Sequence, residues 1–157
     1  MKLSLSRHSR CAARRIPWID RRATVMLRET AAALGREEDT VEIVIVDDDY
    51  IRQINREYRG LDNATDVISF SYLDGGVSPA PADDVAGEIY VSHETLERDA
   101  IAQGVPAEYL FLRLVVHGLL HLLGYDHRTD ADARRMETEE KRLLLDHLNP
   151  AEVEELF

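Results

Sequence analysis

The sequence has little cysteine and no long apolar run, and both absences narrow what the chain can be. Cys11 is the only cysteine among 157 residues, so no disulfide can form within the chain. A chain of this length can bury a core without such bridges, and their absence is typical of a reducing compartment, so we expect a cytoplasmic protein. The most apolar segment, residues 109–125, is short for a bilayer span and contains Arg113, His117 and His121. We therefore expect no membrane association.

Positive charge is outnumbered by negative charge, 19 basic against 30 acidic side chains, and it is unevenly distributed. The formal net charge is −11, which argues against binding nucleic acid over the whole surface. Residues 1–36 nevertheless carry nine basic and two acidic side chains, while residues 37–157 carry ten basic and 28 acidic ones. The basic segment could bind a polyanion locally. The charge counts alone, however, favour the simpler interpretation that the charged side chains of both segments are only solvated.

Hydrophobic patterning predicts strands and helices in the order β-α-β-α-β-β-α-α-α. This order fits neither a regular βαβ alternation nor a helix bundle, so we expect an α+β fold with a small four-stranded mixed sheet packed by about five or six helices. We expect residues 1–157 to form a single domain. Pro17 is expected in the first turn of the first helix. The predicted strands cover residues 2–6, 40–46, 67–72 and 88–92, and the predicted helices cover 17–35, 48–60, 93–104, 106–124 and 130–148.

Between these elements, residues 74–87 form a Gly/Pro/Asp-rich segment that we expect to be a mobile loop. After residue 150 we expect only a short acidic tail.

One predicted helix carries histidines at the spacing of a metal site. His117 and His121 are four residues apart, so they project from one side of the helix. Gly124 allows the chain to leave the helix in a left-handed conformation, which can bring His127 back toward the pair. Three neutral imidazoles around one zinc ion leave a fourth tetrahedral position for water, as in catalytic zinc sites. A lone histidine on an apolar helix is more often a core residue, but this spacing of three favours the metal.

The same spacing is typical of the metzincin proteases, which place a glutamate general base directly after the first histidine. Here Gly118 occupies that position. The segment therefore resembles a metalloprotease zinc helix without the carboxylate that takes a proton from water, which disfavours peptide hydrolysis. Met136 is predicted to be a core residue rather than part of a Met-turn. The remaining histidines, His8, His93 and His147, are predicted to be ordinary polar positions.

Three blocks of the sequence together resemble the endoribonuclease YbeY family of bacterial ribosomal-RNA maturation factors. They are HGLLHLLGYDH at 117–127, NREYRGLDNATDVISF at 55–70 and GEIYVS at 87–92. The resemblance covers nearly the whole chain. It implies a zinc-dependent, single-strand-specific endoribonuclease that matures the 3′ end of small-subunit (16S) ribosomal RNA and takes part in ribosome quality control. The implied partners are single-stranded RNA and the small ribosomal subunit, with no DNA.

The resemblance also implies roles for individual residues. His117, His121 and His127 would be the ligands of one zinc ion, and Arg59 would be the catalytic and substrate-binding arginine of the cleft. Independently of the family, a guanidinium presents a planar fork that fits phosphate oxygens and stays charged at any relevant pH. From the residues alone, a structural role for Arg59 at the C-terminal turn of its helix is equally compatible.

Other polar side chains are further candidates. Arg56 could extend phosphate binding along the helix, and Ser69 could shape the cleft, with solvated or structural roles as the alternatives. Asp126 could orient a ligand histidine. Two other functions stay open from the sequence: a metal-dependent hydrolase of another substrate, and a ribosome-assembly factor that binds without cleaving and holds a non-catalytic zinc.

Overall fold

The computed structural model describes residues 1–11, 15–72 and 85–157, and it confirms the α+β fold with a four-stranded mixed sheet. The strands lie in the order β1-β2-β4-β3, and all neighbours are parallel except β3 and β4. Their bounds are β1 Lys2–Arg7, β2 Thr40–Val46, β3 Val67–Ser71 and β4 Gly87–Ser92. The α-helices in the described ranges are α1 Arg21–Ala33, α2 Asp48–Arg59, α3 His93–Gln103, α4 Ala107–Leu122, α5 Asp130–Leu144 and α6 Pro150–Glu155, and a short 3-10 helix covers Ser9–Cys11.

Each face of the sheet is covered by different helices, because side chains alternate along a strand. Ile43 of β2 and Ile89 of β4 belong to the larger core cluster, which also includes residues of α1 and α3 to α6. On the opposite face, Tyr90 of β4 packs with Ile51 and Ile54 of α2. Consequently α2 lies across the sheet from the other helices.

Helix α4 is the centre of the larger core. Ten of its 16 residues are buried, among them Phe111 and Leu119 with no exposed area. A helix that is apolar nearly all round has to be enclosed by other elements, and α4 contacts α1, α3, α5, β3 and β4. The helix that carries the two histidines is thus fixed from several sides.

Two helix boundaries predicted from the sequence were wrong. Helix α1 begins at Arg21 rather than at Pro17, because the carboxylate of Asp20 accepts a hydrogen bond from the backbone N–H of Ala23 at 2.9 Å and caps the helix there. Helix α5 ends at Leu144, four residues before the predicted end at 148.

The expected acidic tail after residue 150 is helix α6, which opens with a capping box between Asn149 and Glu152. The expected mobile loop at 74–87 lies outside the described residues up to position 84, and Gly87 is already part of β4.

The prediction that the other histidines are ordinary polar positions was wrong for two of them. His93 is 4% exposed, at the start of α3. His147 is mostly enclosed as well, and its Nε2 lies 3.0 Å from the hydroxyl of Thr30 in α1. Met136 is a core residue, as expected, with 1% of its surface exposed.

Among the described residues, no single helix is both long and apolar enough to span a membrane. Helices α3 and α4 reach that length and composition only as a pair, with a 117° bend between them.

Candidate metal centre

The end of helix α4 brings three imidazoles together. His117 and His121 lie on its last two turns, and α4 ends at Leu122. Gly124 then adopts a φ of +94°, and the backbone N–H of the next residue, Tyr125, donates back to the carbonyl of Leu120 at 3.0 Å. This left-handed exit turns the chain so that His127 returns to the pair. One nitrogen from each imidazole lies within 4.8 Å of the other two, so the predicted convergence is confirmed and the cluster could hold a metal ion.

Hydrogen bonds fix which ring nitrogens face the middle of the cluster. The Nδ1 atom of His121 lies 3.0 Å from the carbonyl oxygen of Tyr125, which can only accept, so this nitrogen carries the proton. The Nδ1 atom of His117 lies 2.6 Å from a carboxylate oxygen of Glu140 and is held in the same way. Both Nε2 atoms are therefore unprotonated and carry a free lone pair. This is the tautomer in which a histidine binds a metal through Nε2.

The two Nε2 atoms of His117 and His121 are 3.0 Å apart, which fits a shared cation. Two lone pairs facing each other repel, and a positive ion between them removes the repulsion. A proton is disfavoured in that role, because burial and the neighbouring His117 both lower the pKa of His121. A tetrahedral ion with Zn–N distances of about 2.0–2.1 Å would place its ligand nitrogens roughly 3.3 Å apart. The donor set is thus compatible with zinc.

Glu140 is the site residue that sequence reasoning missed. It lies on α5, is only 3% exposed, and holds His117 with one carboxylate oxygen while the other lies 3.8 Å from Nε of Arg113. A signal for it did exist: Met136, Glu140 and Leu143 lie on the buried face of α5, so an acidic residue interrupts an apolar stripe. Sequence alone could not show which histidine it would meet.

Asp126, the residue proposed from the sequence for orienting a histidine, makes different contacts. Its carboxylate accepts from the backbone N–H of His127 at 2.8 Å and forms an ion pair with Arg128 at 2.7 Å. These bonds shape the turn that carries His127.

The three histidines open into a cleft of about 550 Å³ between α4 and β3. Its lining includes Arg59, the last residue of α2, and Ser69 of β3. The candidate Arg56 is exposed outside this lining and lies 4.0 Å from a carboxylate oxygen of Asp62. The structure therefore places Arg59 and Ser69 in the same cleft as the histidines, with Arg56 one helical turn away.

Gly118 lies where α4 passes very close to the sheet. A Cβ atom at this position would be 2.8 Å from Oγ of Ser69 and 2.9 Å from Cδ1 of Ile89. A methyl group at this position would require the side chains of Ser69 and Ile89 to shift, so the glutamate that metzincin proteases carry after the first histidine fits poorly here. This packing supports the prediction that a protease of that kind is disfavoured.

Known proteins are similar to the chain over most of its length. A family model described as endoribonuclease YbeY matches residues 13–148. An endoribonuclease YbeY of Rhodopseudomonas palustris is 38% identical over 126 residues, which cover 78% of this chain and 66% of that protein. One of Rhizobium meliloti is 42% identical over 124 residues, which cover 78% of this chain and 72% of that protein. The chain thus spans about two thirds of the length of these curated relatives.

A solved structure is similar as well. The solution structure of a Thermotoga maritima protein, 27% identical in sequence, superimposes with a TM-score of 0.58 and covers 90% of this chain and 86% of that protein.

Proposed function

This chain belongs to the endoribonuclease YbeY family, and from that premise we propose that it is a zinc-dependent endoribonuclease that cleaves single-stranded RNA. The observation that carries the proposal is the three-imidazole cluster, which opens on one side into a cleft that also contains Arg59. A metal held by three histidines and open to a cleft is the arrangement of catalytic rather than structural zinc sites.

The roles of the side chains follow from their chemistry. His117, His121 and His127 would hold the ion through neutral nitrogens, and Glu140 would keep His117 in the required tautomer. A zinc ion held by them would supply Lewis-acid chemistry, namely polarisation of the phosphodiester and activation of water at neutral pH. The guanidinium of Arg59 would bind the scissile phosphate and stabilise the negative charge that grows on its oxygens.

The two remaining candidate residues, Ser69 and Arg56, would contact the RNA beside the reacting phosphate. The hydroxyl of Ser69 lines the cleft close to α4 and would position the RNA backbone by hydrogen bonding. Arg56, next to the cleft on α2, would bind a neighbouring phosphate. A single strand is the proposed substrate because its backbone can enter a narrow cleft that a duplex cannot.

The biological substrate that we propose is the 3′ end of small-subunit (16S) ribosomal RNA, processed in the cytoplasm on the small ribosomal subunit as part of ribosome maturation and quality control. Membership of the family supports this choice. The basic surplus of residues 1–36 supplies charge that could assist docking on ribosomal RNA.

The direct test is cleavage of a labelled unstructured RNA by the purified chain, with and without a chelator. We expect cleavage that stops on chelation, returns with added zinc, and is absent in His121→Ala. Full activity in chelated, nuclease-free protein would contradict the proposal. Assays of peptides beside RNA, with the metal loaded, would identify a hydrolase of another substrate.

A binding factor with a non-catalytic zinc is the remaining alternative. The open side of the histidine cluster argues against it, because structural zinc sites are usually closed by four protein ligands. An Arg59→Ala protein that no longer cleaves RNA but still supports ribosome maturation in cells would favour this alternative.

A further inference from the structure

Tyr58 extends the apolar stripe of α2 out of the core and into the cleft. Ile54 and Ile51, one and two turns earlier on the same face, are almost completely buried. Tyr58 is 38% exposed and lines the cleft together with Arg59, its neighbour in the chain. Core packing therefore accounts for only part of this aromatic surface, and the rest faces the space where the substrate would lie.

The ring of Tyr58 is supported from behind by two further aromatic residues. Its centroid lies 5.3 Å from that of Phe70 at an interplanar angle of 78°, and Phe70 in turn meets Tyr90 edge to face at 5.8 Å. Tyr90 is buried, and its hydroxyl donates to the carboxylate of Glu88 at 2.8 Å. Burial and this carboxylate raise the pKa of Tyr90, so the hydroxyl stays a donor. Tyr58 is thus held by a row of rings that begins in the core.

An edge-to-face contact occupies at most one face of a ring, so Tyr58 keeps a face that Phe70 does not use. A preordered aromatic face beside a cationic side chain is the pairing that proteins use for single-stranded nucleic acids, in which bases stack on the ring while phosphates meet the cation. Here the adjacent residues Tyr58 and Arg59 both line the cleft and provide the two elements.

We propose that Tyr58, supported by Phe70, is a stacking site for an unpaired base of the RNA strand next to the phosphate held by Arg59. The inference rests on the proposed function, because it takes single-stranded RNA as the ligand. Stacking on Tyr58 places one nucleotide relative to the metal centre and selects for strands whose bases are free. It is tolerant of base identity, since every base has a flat aromatic face.

The experiment measures binding rather than cleavage. The full chain is titrated, with a chelator present so that bound RNA stays intact, against a short labelled RNA and against a matched strand whose bases are replaced by abasic residues. We expect Tyr58→Ala to weaken binding of the RNA about tenfold, within the range for loss of one base–aromatic stack, and to leave the abasic strand within twofold. Tyr58→Phe should bind like the parent chain.

Two further variants separate stacking from folding and from general apolar contact. Tyr58→Leu keeps an apolar side chain against Phe70 but has no aromatic face, so it should lose RNA affinity as Tyr58→Ala does while melting like the parent. Leu61→Ala removes exposed apolar surface nearby, outside the cleft lining, and should change nothing.

Equal loss of affinity for both strands, or no loss in Tyr58→Leu, would overturn the stacking site. A parent chain that prefers the RNA over the abasic strand but fails to cleave RNA with zinc bound would contradict the proposed activity and still support the stacking site.

Discussion

At the residue scale, the proposed zinc site depends on how its three histidines are held. The spacing of His117 and His121 and the glycine at position 124 were enough to predict that three imidazoles converge. The contact between Glu140 and His117 could not be predicted from the sequence, because the two residues are 23 positions apart and meet only through the packing of α5 on α4. The spacing of apolar residues along α5 shows that Glu140 faces inward. Which residue it contacts depends on how α5 packs against α4.

Glu140 should strengthen metal binding through His117. In Glu140→Gln the charged acceptor of the Nδ1 proton is lost, so we expect zinc affinity to fall about 10- to 100-fold in competition with a chromogenic chelator. Glu137→Gln, which alters an exposed carboxylate on the same helix, is the matched control and should leave the affinity unchanged. An unaltered affinity in Glu140→Gln would contradict the role of this hydrogen bond.

Arg59 should affect the rate of RNA cleavage and not the affinity for zinc. We expect Arg59→Ala to lower kcat for RNA cleavage about 100-fold or more, as loss of a group that stabilises transition-state charge does, with zinc affinity within twofold of the parent. Arg52→Ala is the control, because Arg52 lies on the same helix but pairs with Asp62 at 2.9 Å. If Arg59→Ala cleaves RNA like the parent, the assignment of Arg59 is wrong.

The lowered pKa of His121 predicts how the metal-free chain responds to acid. An unfolded imidazole takes up a proton near its ordinary pKa of 6.5, whereas burial and His117 lower the pKa of His121 in the folded chain. Below about pH 6.5 the unfolded state therefore binds more protons, and stability falls until the pH passes below the folded pKa. Thermal melting of chelated protein from about pH 7.5 to 5 should show a steeper loss of Tm for the parent than for His121→Gln. If the Tm of the parent falls no more steeply with decreasing pH than the Tm of His121→Gln, the pKa of His121 is not lowered by folding.

At the scale of the elements, local signals predicted most strands and helices, and long-range packing decided the rest. Strand β2 was predicted at its observed bounds because its β-branched run ends in aspartates. The start of α1 was misplaced because Pro17 and Asp20 both favour a helix start, and the hydrogen bond that Asp20 makes decided between them. The strand order β1-β2-β4-β3 was not predicted, since it depends on pairings between residues far apart in the sequence.

Gly118 provides a test of the contact between α4 and β3. Replacing glycine by alanine within a helix ordinarily stabilises it by about 1 kcal/mol. Here the added Cβ would meet Ser69 and Ile89 at less than 3.0 Å, so we expect Gly118→Ala to be destabilising instead, by about 1–2 kcal/mol in denaturant unfolding. Adding Ser69→Ala, which removes one of the two colliding atoms, should recover part of the loss. A more stable Gly118→Ala chain would contradict this expectation and would mean that the side chains of Ser69 and Ile89 move aside for the methyl group.

At the scale of the whole molecule, the net charge of −11 limits how the chain can bind RNA. On α2, Arg52 pairs with Asp62 at 2.9 Å, whereas Arg56 comes only within 4.0 Å of the same carboxylate, so Arg59 and Arg56 are the cations of this helix that we expect to meet phosphates. That residues 1–157 fold as one domain stays a prediction.

Two phosphate contacts predict a weak salt dependence of RNA binding. Each phosphate neutralised on a single strand contributes about −0.7 to the slope of log affinity against log salt, so we expect a slope of about −1 to −2. Arg56→Ala should reduce its magnitude by about 0.7. For a short strand, a slope of about −5 or steeper in the parent would mean that the strand also contacts basic side chains outside the cleft, such as those proposed for docking on the larger ribosomal RNA, and would contradict the binding of a short strand by the cleft alone.

The most direct test of the account is the coordination of the bound metal in the purified full chain, measured by X-ray absorption at the zinc edge together with metal stoichiometry. We predict one zinc ion per chain, with three imidazole nitrogens at about 2.0–2.1 Å and one further light-atom ligand exchangeable with solvent. The absence of bound metal, a sulfur ligand, or a fourth protein ligand that closes the site would contradict the account.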